Sequence, residues 1–322
     1  MTATEIAVEV HGLEKKFGEF VAVNKIDFQV ARGEIFGFLG PNGAGKSTTI
    51  RMLCGILSPT SGTGTVGGFD IIKDQREIKK HIGNMSQKFS LYDDLTVNEN
   101  IDFYSGIYNI PHKERAARRE EIVKSAGIEE FRNSLTGDLS GGWKQRLALG
   151  CAIMHRPSIV FLDEPTSGVD PITRNSFWET IKAMARKGVT VFVTTHYMDE
   201  AENCGRMALI YRGNIIAMGT PEEMKTKFMK NDVVEIQGPS TEVWVDRVES
   251  VPGVREVALF GSGLHAVVEQ ASSVAPRIEA LFSAEGAIGF TVRNIMPSLE
   301  DVFVSLIETH DESKSDDRIV GK

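Results

Sequence analysis

The stretch "GPNGAGKSTT", which begins at Gly40 directly after the apolar run "EIFGFL", constrains this chain more than any other. It fits G-x-x-x-x-G-K-[ST] at every fixed position, with Gly40, Gly45, Lys46 and Ser47 in those places. A buried-strand pattern precedes it, and "GKSTTIRMLCGIL" (Gly45 to Leu57) reads as a helix after it. In a strand–loop–helix setting, glycines let backbone N–H groups turn into a concave anion nest. The helix that follows adds its positive N-terminus to the same anion. Lys46 is then placed to reach the β- and γ-phosphates of a nucleotide, and the Ser47 hydroxyl to take one Mg²⁺ position. The candidate binding run is Gly40, Pro41, Asn42, Gly43, Ala44, Gly45, Lys46, Ser47 and Thr48.

Two further apolar runs, "SIVFLDEP" and "VTVFVTTH", read as buried strands. Near-continuous V/I/F runs separated by helices predict an α/β core whose parallel sheet is covered on both faces. Asp163 and Glu164 then emerge at the carboxyl end of their strand, where open α/β sheets bind ligands. Asp163 suits a hydrated Mg²⁺, and Glu164 suits accepting or orienting the proton of an attacking water. A third element, "LSGGWKQR", places Ser140 as an N-cap and leaves the N–H groups of Gly141 and Gly142 free at a helix start. It reads as a second anion site. From about Phe89 to Arg156 the pattern is almost entirely helical, so a helical insertion in the core is expected.

Charge and cysteine usage narrow the classes. Lys and Arg number 36 against 44 Asp and Glu, a net charge of −8, so no basic nucleic-acid footprint is expected. The mixed-sign stretch "HKERAARREEIVK" reads as a solvated helix face. Cys54, Cys151 and Cys204 form no C-x-x-C pair, which argues against a disulfide framework or zinc site and for a reducing compartment. The start carries no signal-peptide pattern, and no run reaches the roughly 18 apolar residues of a spanning helix. The chain therefore reads as soluble, with a membrane partner left open.

After "GTPEEMKTKFMKND" the composition changes. From Val233 onward the order is strand, helix, strand, strand, helix, strand, the split-βαβ or ferredoxin-like arrangement, with a final helix "SLEDVFVSLIET" and a polar tail. The expected organisation is a nucleotide-binding domain over 1–230 with a helical subdomain at about 88–156. A small α+β ferredoxin-like domain follows over 231–309, and then a disordered tail over 310–322.

Together these motifs resemble the nucleotide-binding subunit of an ATP-binding-cassette (ABC) transporter, whose core is a P-loop NTPase fold. The resemblance runs from about Ile6 to Thr220 and rests on "GPNGAGKST", the glutamine of "GNMSQKFS", "LSGGWKQR", "IVFLDEP", "SGVD" and "TTHYMDEAE", in that order. It implies an ATPase that binds ATP and Mg²⁺ as a homodimer or pseudo-dimer of cassettes arranged head to tail. Each ATP would lie on one phosphate loop and be closed over by Ser140, Gly141 and Gly142 of the other subunit. Gln87 would join Ser47 and Asp163 at the Mg²⁺, His196 would contact the γ-phosphate, and Asp170 would link the two sites. Phe17 would stack on adenine where the family more often has tyrosine. Trp143 stands where the family commonly has glutamine, a departure that weakens any side-chain contact expected there.

The phrases "VAVNKIDFQVARGEIFGFLGPNGAGKSTTIRMLCGIL" and "MPSLEDVFVSLI" look like single-cassette subunits of drug and polyketide exporters. That resemblance implies a separate membrane-spanning permease as partner and a peripheral place on the cytoplasmic face of the inner membrane. Docking is expected along Lys88 to Ile110, with Phe89, Leu91, Tyr92, Ile101, Phe103 and Tyr104 within reach of a partner helix. The alternative is a cytosolic, non-transport ABC ATPase acting on nucleic acid, the ribosome or metal-cluster assembly. Such proteins usually carry paired cassettes, coiled-coil arms or metal-binding cysteines, and the sequence shows none. A third reading makes the C-terminal domain a small-ligand sensor.

Overall fold

Long strands open the chain, β1 (Ile6–Phe17) and β2 (Phe20–Ala31), and they pair as an antiparallel hairpin. The short, almost fully buried β3 (Ile35–Leu39) then leads through the glycine-rich loop into α1 (Lys46–Leu53). The computed structural model describes residues 5–87, 90–229 and 231–320, the side chains of 312–320 excepted. Helix α1 is shorter than the sequence pattern predicts. Gly55 takes φ +66°, and the N–H groups of Ile56 and Leu57 turn back onto the Arg51 carbonyl, which ends the helix four residues early. Strands β4 (Ser61–Val66) and β5 (Phe69–Asp70) complete an antiparallel sheet in the order β2-β1-β4-β5. Helix α2 (Gln75–His81) and β6 (Ile82–Met85) follow.

Three helices then form a separate layer: α3 (Val97–Ile107), α4 (His112–Ala126) and α5 (Gly141–Ile153). Thr96 and Glu99 build a capping box at the start of α3, and Gly127 ends α4 in a left-handed conformation. Val97, Ile101, Val123, Ile128 and Leu147 are buried between these helices. Strand β7 (Ile159–Asp163), α6 (Pro171–Arg186), β8 (Thr190–Thr195), the short α7 (Met198–Ala201), β9 (Arg206–Tyr211) and β10 (Asn214–Gly219) return the chain to the main sheet.

That sheet has the order β10-β9-β3-β8-β7-β6, and the pairs β9/β3, β3/β8, β8/β7 and β7/β6 are all parallel. One face packs Phe36, Phe38, Phe161 and Phe192 with Phe28 from the antiparallel sheet, ring centroids 5.5–5.9 Å apart. The other face is closed by Phe177, Trp178 and Ile181 of α6. A sheet buried on both sides favours strands that are largely apolar, which is why β7 and β8 carry the hydrophobic runs "IVFL" and "VFV".

The chain divides into two units, Met1–Met218 and Gly219–Lys322. The sequence places this boundary at 230/231. It falls earlier because the helical segments α8 (Pro221–Glu223) and Met224–Phe228 belong with the second unit, where Met224 is fully buried. The second unit continues with β11 (Asp232–Gln237), a 3₁₀ turn at Thr241–Trp244, α9 (Val245–Glu249), β12 (Val254–Phe260), β13 (Gly263–Val268), α10 (Ala271–Ala284) and β14 (Thr291–Ile295). Its sheet runs β12-β13-β11-β14 with every pair antiparallel, the ferredoxin-like order. The last helix, α11, spans Leu299–Val320 and so occupies most of the stretch expected as a disordered tail. No helix among the described residues is long and apolar enough to cross a membrane.

Candidate active site

The parallel strands deliver their chemistry to one edge. At the end of β3 the backbone must leave the sheet without a side chain, since a Cβ on Gly40 would lie 2.1 Å from the Ile210 carbonyl oxygen. Gly43 and Gly45 take φ of +79° and +112°, conformations that only glycine adopts cheaply. The loop therefore hands α1 over with its N-terminal turn turned toward the strand ends. Lys46, only 4% exposed, curls back so that its ammonium donates to the carbonyls of Gly40 (2.7 Å) and Pro41 (3.1 Å). Its third partner is the Glu164 carboxylate, Oε1 at 3.1 Å.

The acidic pair is equally fixed. Asp163 ends β7, and its Oδ1 accepts from the Ser47 hydroxyl at 3.1 Å and from the Thr194 hydroxyl at 2.7 Å. Glu164 sits at φ +46°, a strained conformation for a residue with a side chain. Its backbone N–H donates to both the carbonyl (3.1 Å) and hydroxyl oxygen (2.9 Å) of Thr194, which holds the strain in place. The Gln87 amide donates to Glu164 Oε2 at 3.1 Å, and His196 Nδ1 lies 3.2 Å from the same oxygen. That last approach lacks hydrogen-bond geometry, so His196 faces Glu164 without bonding to it, and its ring remains 29% exposed. A cavity of about 230 Å³ opens beside Asp163 and Gln87, with Arg51, Asn84 and Ser86 in its wall.

A larger groove, about 360 Å³, lies beside Ile122, Ile153 and Met184 and contains none of the motif residues. Volume and chemistry thus point to different places. The convergence of one ammonium, two carboxylates, an amide and an imidazole makes the strand edge the candidate active site.

The structure brings Lys46, Ser47, Gln87, Asp163, Glu164 and His196 together. The loop Gly40–Gly45 and Thr48 lie with them, while Phe17, Ser140, Gly141, Gly142 and Asp170 stand elsewhere. Phe17 stands 50% exposed at the end of β1, with the Lys15 ammonium 5.2 Å from its ring centre. Ser140 occupies the N-cap position of α5, but its side chain makes no capping hydrogen bond, and it and Gly141 face solvent. Asp170 caps α6 through the N–H groups of Ile172 and Thr173, and the Thr173 side chain, with those backbone bonds, holds its carboxyl below the usual carboxylate range. These two helix starts are neighbours: a Cβ on Gly142 would touch Thr173 Cγ2 at 2.8 Å. Trp143 packs on Phe131 (5.3 Å) and under the Arg146 guanidinium (5.0 Å), so it serves the helical layer.

Two residues escaped the sequence reading. Thr194 joins Asp163 to Glu164, and Thr166, 1% exposed, anchors the turn just after Glu164. The available signal for Thr194 was the pair of threonines that follows the apolar run "VFV" in "VTVFVTT". The expected docking segment also needs correction. Tyr92 and Phe103 are exposed and meet edge to face at 4.7 Å. Ile101, in contrast, is fully buried inside the helical layer and presents no surface, while Leu91 and Tyr104 are half-buried against that layer. Phe89 lies outside the described residues.

Comparison with known proteins follows the same line. Residues 23–167 match the family model described as ABC transporter. The chain is 51% identical over 226 residues to "Probable multidrug ABC transporter ATP-binding protein YbhF" of Escherichia coli (strain K12), covering 70% of this chain. It spans only 39% of that relative's length. Over nearly the whole chain (93%) it is 34% identical to "Linearmycin resistance ATP-binding protein LnrL" of Bacillus subtilis (strain 168), covering 97% of that protein. Among solved structures, a dimeric post-hydrolysis state of the ATP-binding cassette MJ0796, bound to ADP and Pi, aligns at TM-score 0.61 with 28% identity. That alignment covers 66% of this chain and 98% of the other.

Proposed function

Because this chain belongs to the ABC transporter family, we propose that it is the ATP-hydrolysing subunit of an exporter, working as a head-to-tail pair of cassettes that drives a separate membrane-spanning permease. The observation that carries the reading is the meeting of buried Lys46 and strained Glu164 at 3.1 Å beside Asp163 and Ser47. An anion drawn to Lys46 and the loop N–H groups comes within reach of the one carboxylate that Gln87 and His196 also face.

In this reading Lys46 and the N–H groups of Gly43 to Ser47 hold the β- and γ-phosphates of ATP. Glu164 accepts a proton from the attacking water as the oxygen–phosphorus bond forms and the bond to ADP breaks. His196 donates to the γ-phosphate, and Gln87 orients the water or the carboxylate. The Ser47 hydroxyl and Asp163 carboxylate, already 3.1 Å apart, form an all-oxygen donor set of the hard kind that Mg²⁺ prefers. Bound there, the ion would neutralise charge on the phosphate oxygens.

The exposed, uncapping Ser140 and open Gly141 support a second copy as the group that completes the site. Phe17 supplies an exposed aromatic face for adenine, and Asp170 lies beside the Ser140 helix start. Tyr92 and Phe103 offer the permease an apolar surface. The names of the relatives favour export over the cytosolic alternative.

Affinity purification of Glu164→Gln from gently solubilised cells tests this reading. A stoichiometric multi-spanning membrane protein is expected. Ribosomal or nucleic-acid partners alone would replace it with the cytosolic reading.

A further inference from the structure

Glu200 is 2% exposed, a carboxylate buried in the first turns after β8, yet none of the steps above uses it. Burying a carboxylate is costly unless a charge and hydrogen bonds compensate. Here the compensation is partial and comes from two different segments, since Glu200 Oε2 and Arg174 Nε make no hydrogen bond among the described residues and the Arg174 pairing is one of charge. The Thr166 hydroxyl, two residues past Glu164, donates to Glu200 Oε1. Arg174, in the first turn of α6, brings Nε to 3.4 Å from the same oxygen and a terminal nitrogen to 3.6 Å from Asp199.

Arg174 does more than balance charge. Its guanidinium lies 4.1 Å from the centre of the Tyr197 ring, and Tyr197 in turn lies 4.1 Å, centre to centre, from the His196 ring. The Arg174 backbone N–H donates to the carbonyl of Asp170 at 2.9 Å, the first helical bond of α6, which joins this helix start to the "SGVD" turn. A continuous set of contacts therefore runs from Asp170 through Arg174 to Glu200 and Tyr197, and from there to His196 and Glu164.

The geometry points to Glu200, acting with Arg174 and Thr166, as a positioning residue that holds the Glu164 turn and His196 in one rigid unit. This rests on the proposed roles of Glu164 and His196. Glu200 touches no reacting atom. It acts by fixing the imidazole and the base relative to each other, a placement to which turnover is steeply sensitive.

The test is steady-state ATPase of the purified full chain, with kcat expressed per nucleotide-binding site counted by calorimetry, so that misfolded protein does not enter the number. Glu200→Gln, which keeps the shape and removes the charge, is expected to lower kcat by about tenfold or more and to leave KM within about twofold. Glu200→Gln combined with His196→Ala should lose less than the product of the two single losses, because half of the pair that Glu200 fixes is already gone. Thr166→Val should reproduce the loss and Thr166→Ser recover it. Wild-type kcat in Glu200→Gln, or losses that multiply in the double variant, would overturn the inference. Should Glu200→Gln fail to fold, the Thr166 pair carries the test alone. If His196→Ala itself retains wild-type kcat, the site reading fails. If His196→Ala is impaired while Glu200→Gln is not, only the positioning role falls.

Discussion

The two units of this chain each contain a histidine facing a carboxylate, and they use the pair in opposite ways. In the second unit His265 Nδ1 meets both oxygens of Asp301 at 2.9 and 3.2 Å, and both residues are under 10% exposed. Ser298 adds its N–H and hydroxyl to Asp301, each at 2.7 Å, and Phe260 stacks on the imidazole at 3.9 Å. Burial alone would push the Asp301 carboxyl up, but the bonds from His265 and Ser298 outweigh it and hold it below the usual range. Both carboxylate oxygens have hydrogen-bond partners, and the backbone is ordinary helix start. In the first unit Glu164 sits at φ +46°, and His196 faces it at 3.2 Å without a hydrogen bond. A satisfied pair stabilises; a strained and incompletely bonded pair is equipped for chemistry. Residue types alone do not distinguish them.

The contrast can be broken at either end. The largest effect is expected from Lys46→Ala, which removes the buried ammonium that faces Glu164. ATP affinity measured by calorimetry should fall by at least about 100-fold, on the order of 3 kcal/mol. His265→Ala should leave that affinity unchanged. It should instead destabilise the second unit by about 3 kcal/mol, because Asp301 is left buried without its partner, as read in a denaturant melt. Equal nucleotide defects in the two variants would erase the distinction. A smaller effect is expected from Phe17→Ala, about fivefold to tenfold in ATP affinity, since stacking of a base on an aromatic ring contributes roughly 1 kcal/mol or more. Unaltered affinity would assign Phe17 to the hairpin only.

The smallest effect is a pH dependence in the second unit. Glu256 is pushed up to about 7 from an ordinary 4.5, first by burial and then by Glu308, with Asp301 and Glu249 adding to it. The folded chain thus holds this proton more tightly than the unfolded one. Its contribution is fully present below about pH 4.5 and is lost as pH rises through 7. Glu256→Gln should flatten that loss, raising the melting temperature at pH 8 by about 4 °C and changing it little at pH 5. An unchanged slope would show that Glu256 stays solvated.

How much of this was legible in the sequence depends on whether the signal was local. The glycine loop, the acidic strand end and the split-βαβ order each declare themselves within one contiguous run, and the structure bears out the α/β core and the ferredoxin-like sheet. What escaped was long-range. Thr194 and Thr166 act on partners about 30 residues away, and a threonine closing an apolar strand looks like any other β-branched residue. The buried face of α3 likewise depends on α4 and α5, so Ile101 reads as available until those helices are placed. The unit boundary moved because Met224 is buried with the second unit, a fact that no composition shift records.

The central claim is that Glu164 is the base of an ATPase and not a structural partner of Lys46. Single-turnover hydrolysis of ATP by Glu164→Gln, alongside its nucleotide affinity, tests this most directly. The account predicts a rate lower by about 10² to 10⁴ with ATP bound at least as tightly as by the parent chain. Hydrolysis at the parental rate, or loss of binding in step with loss of rate, would contradict it.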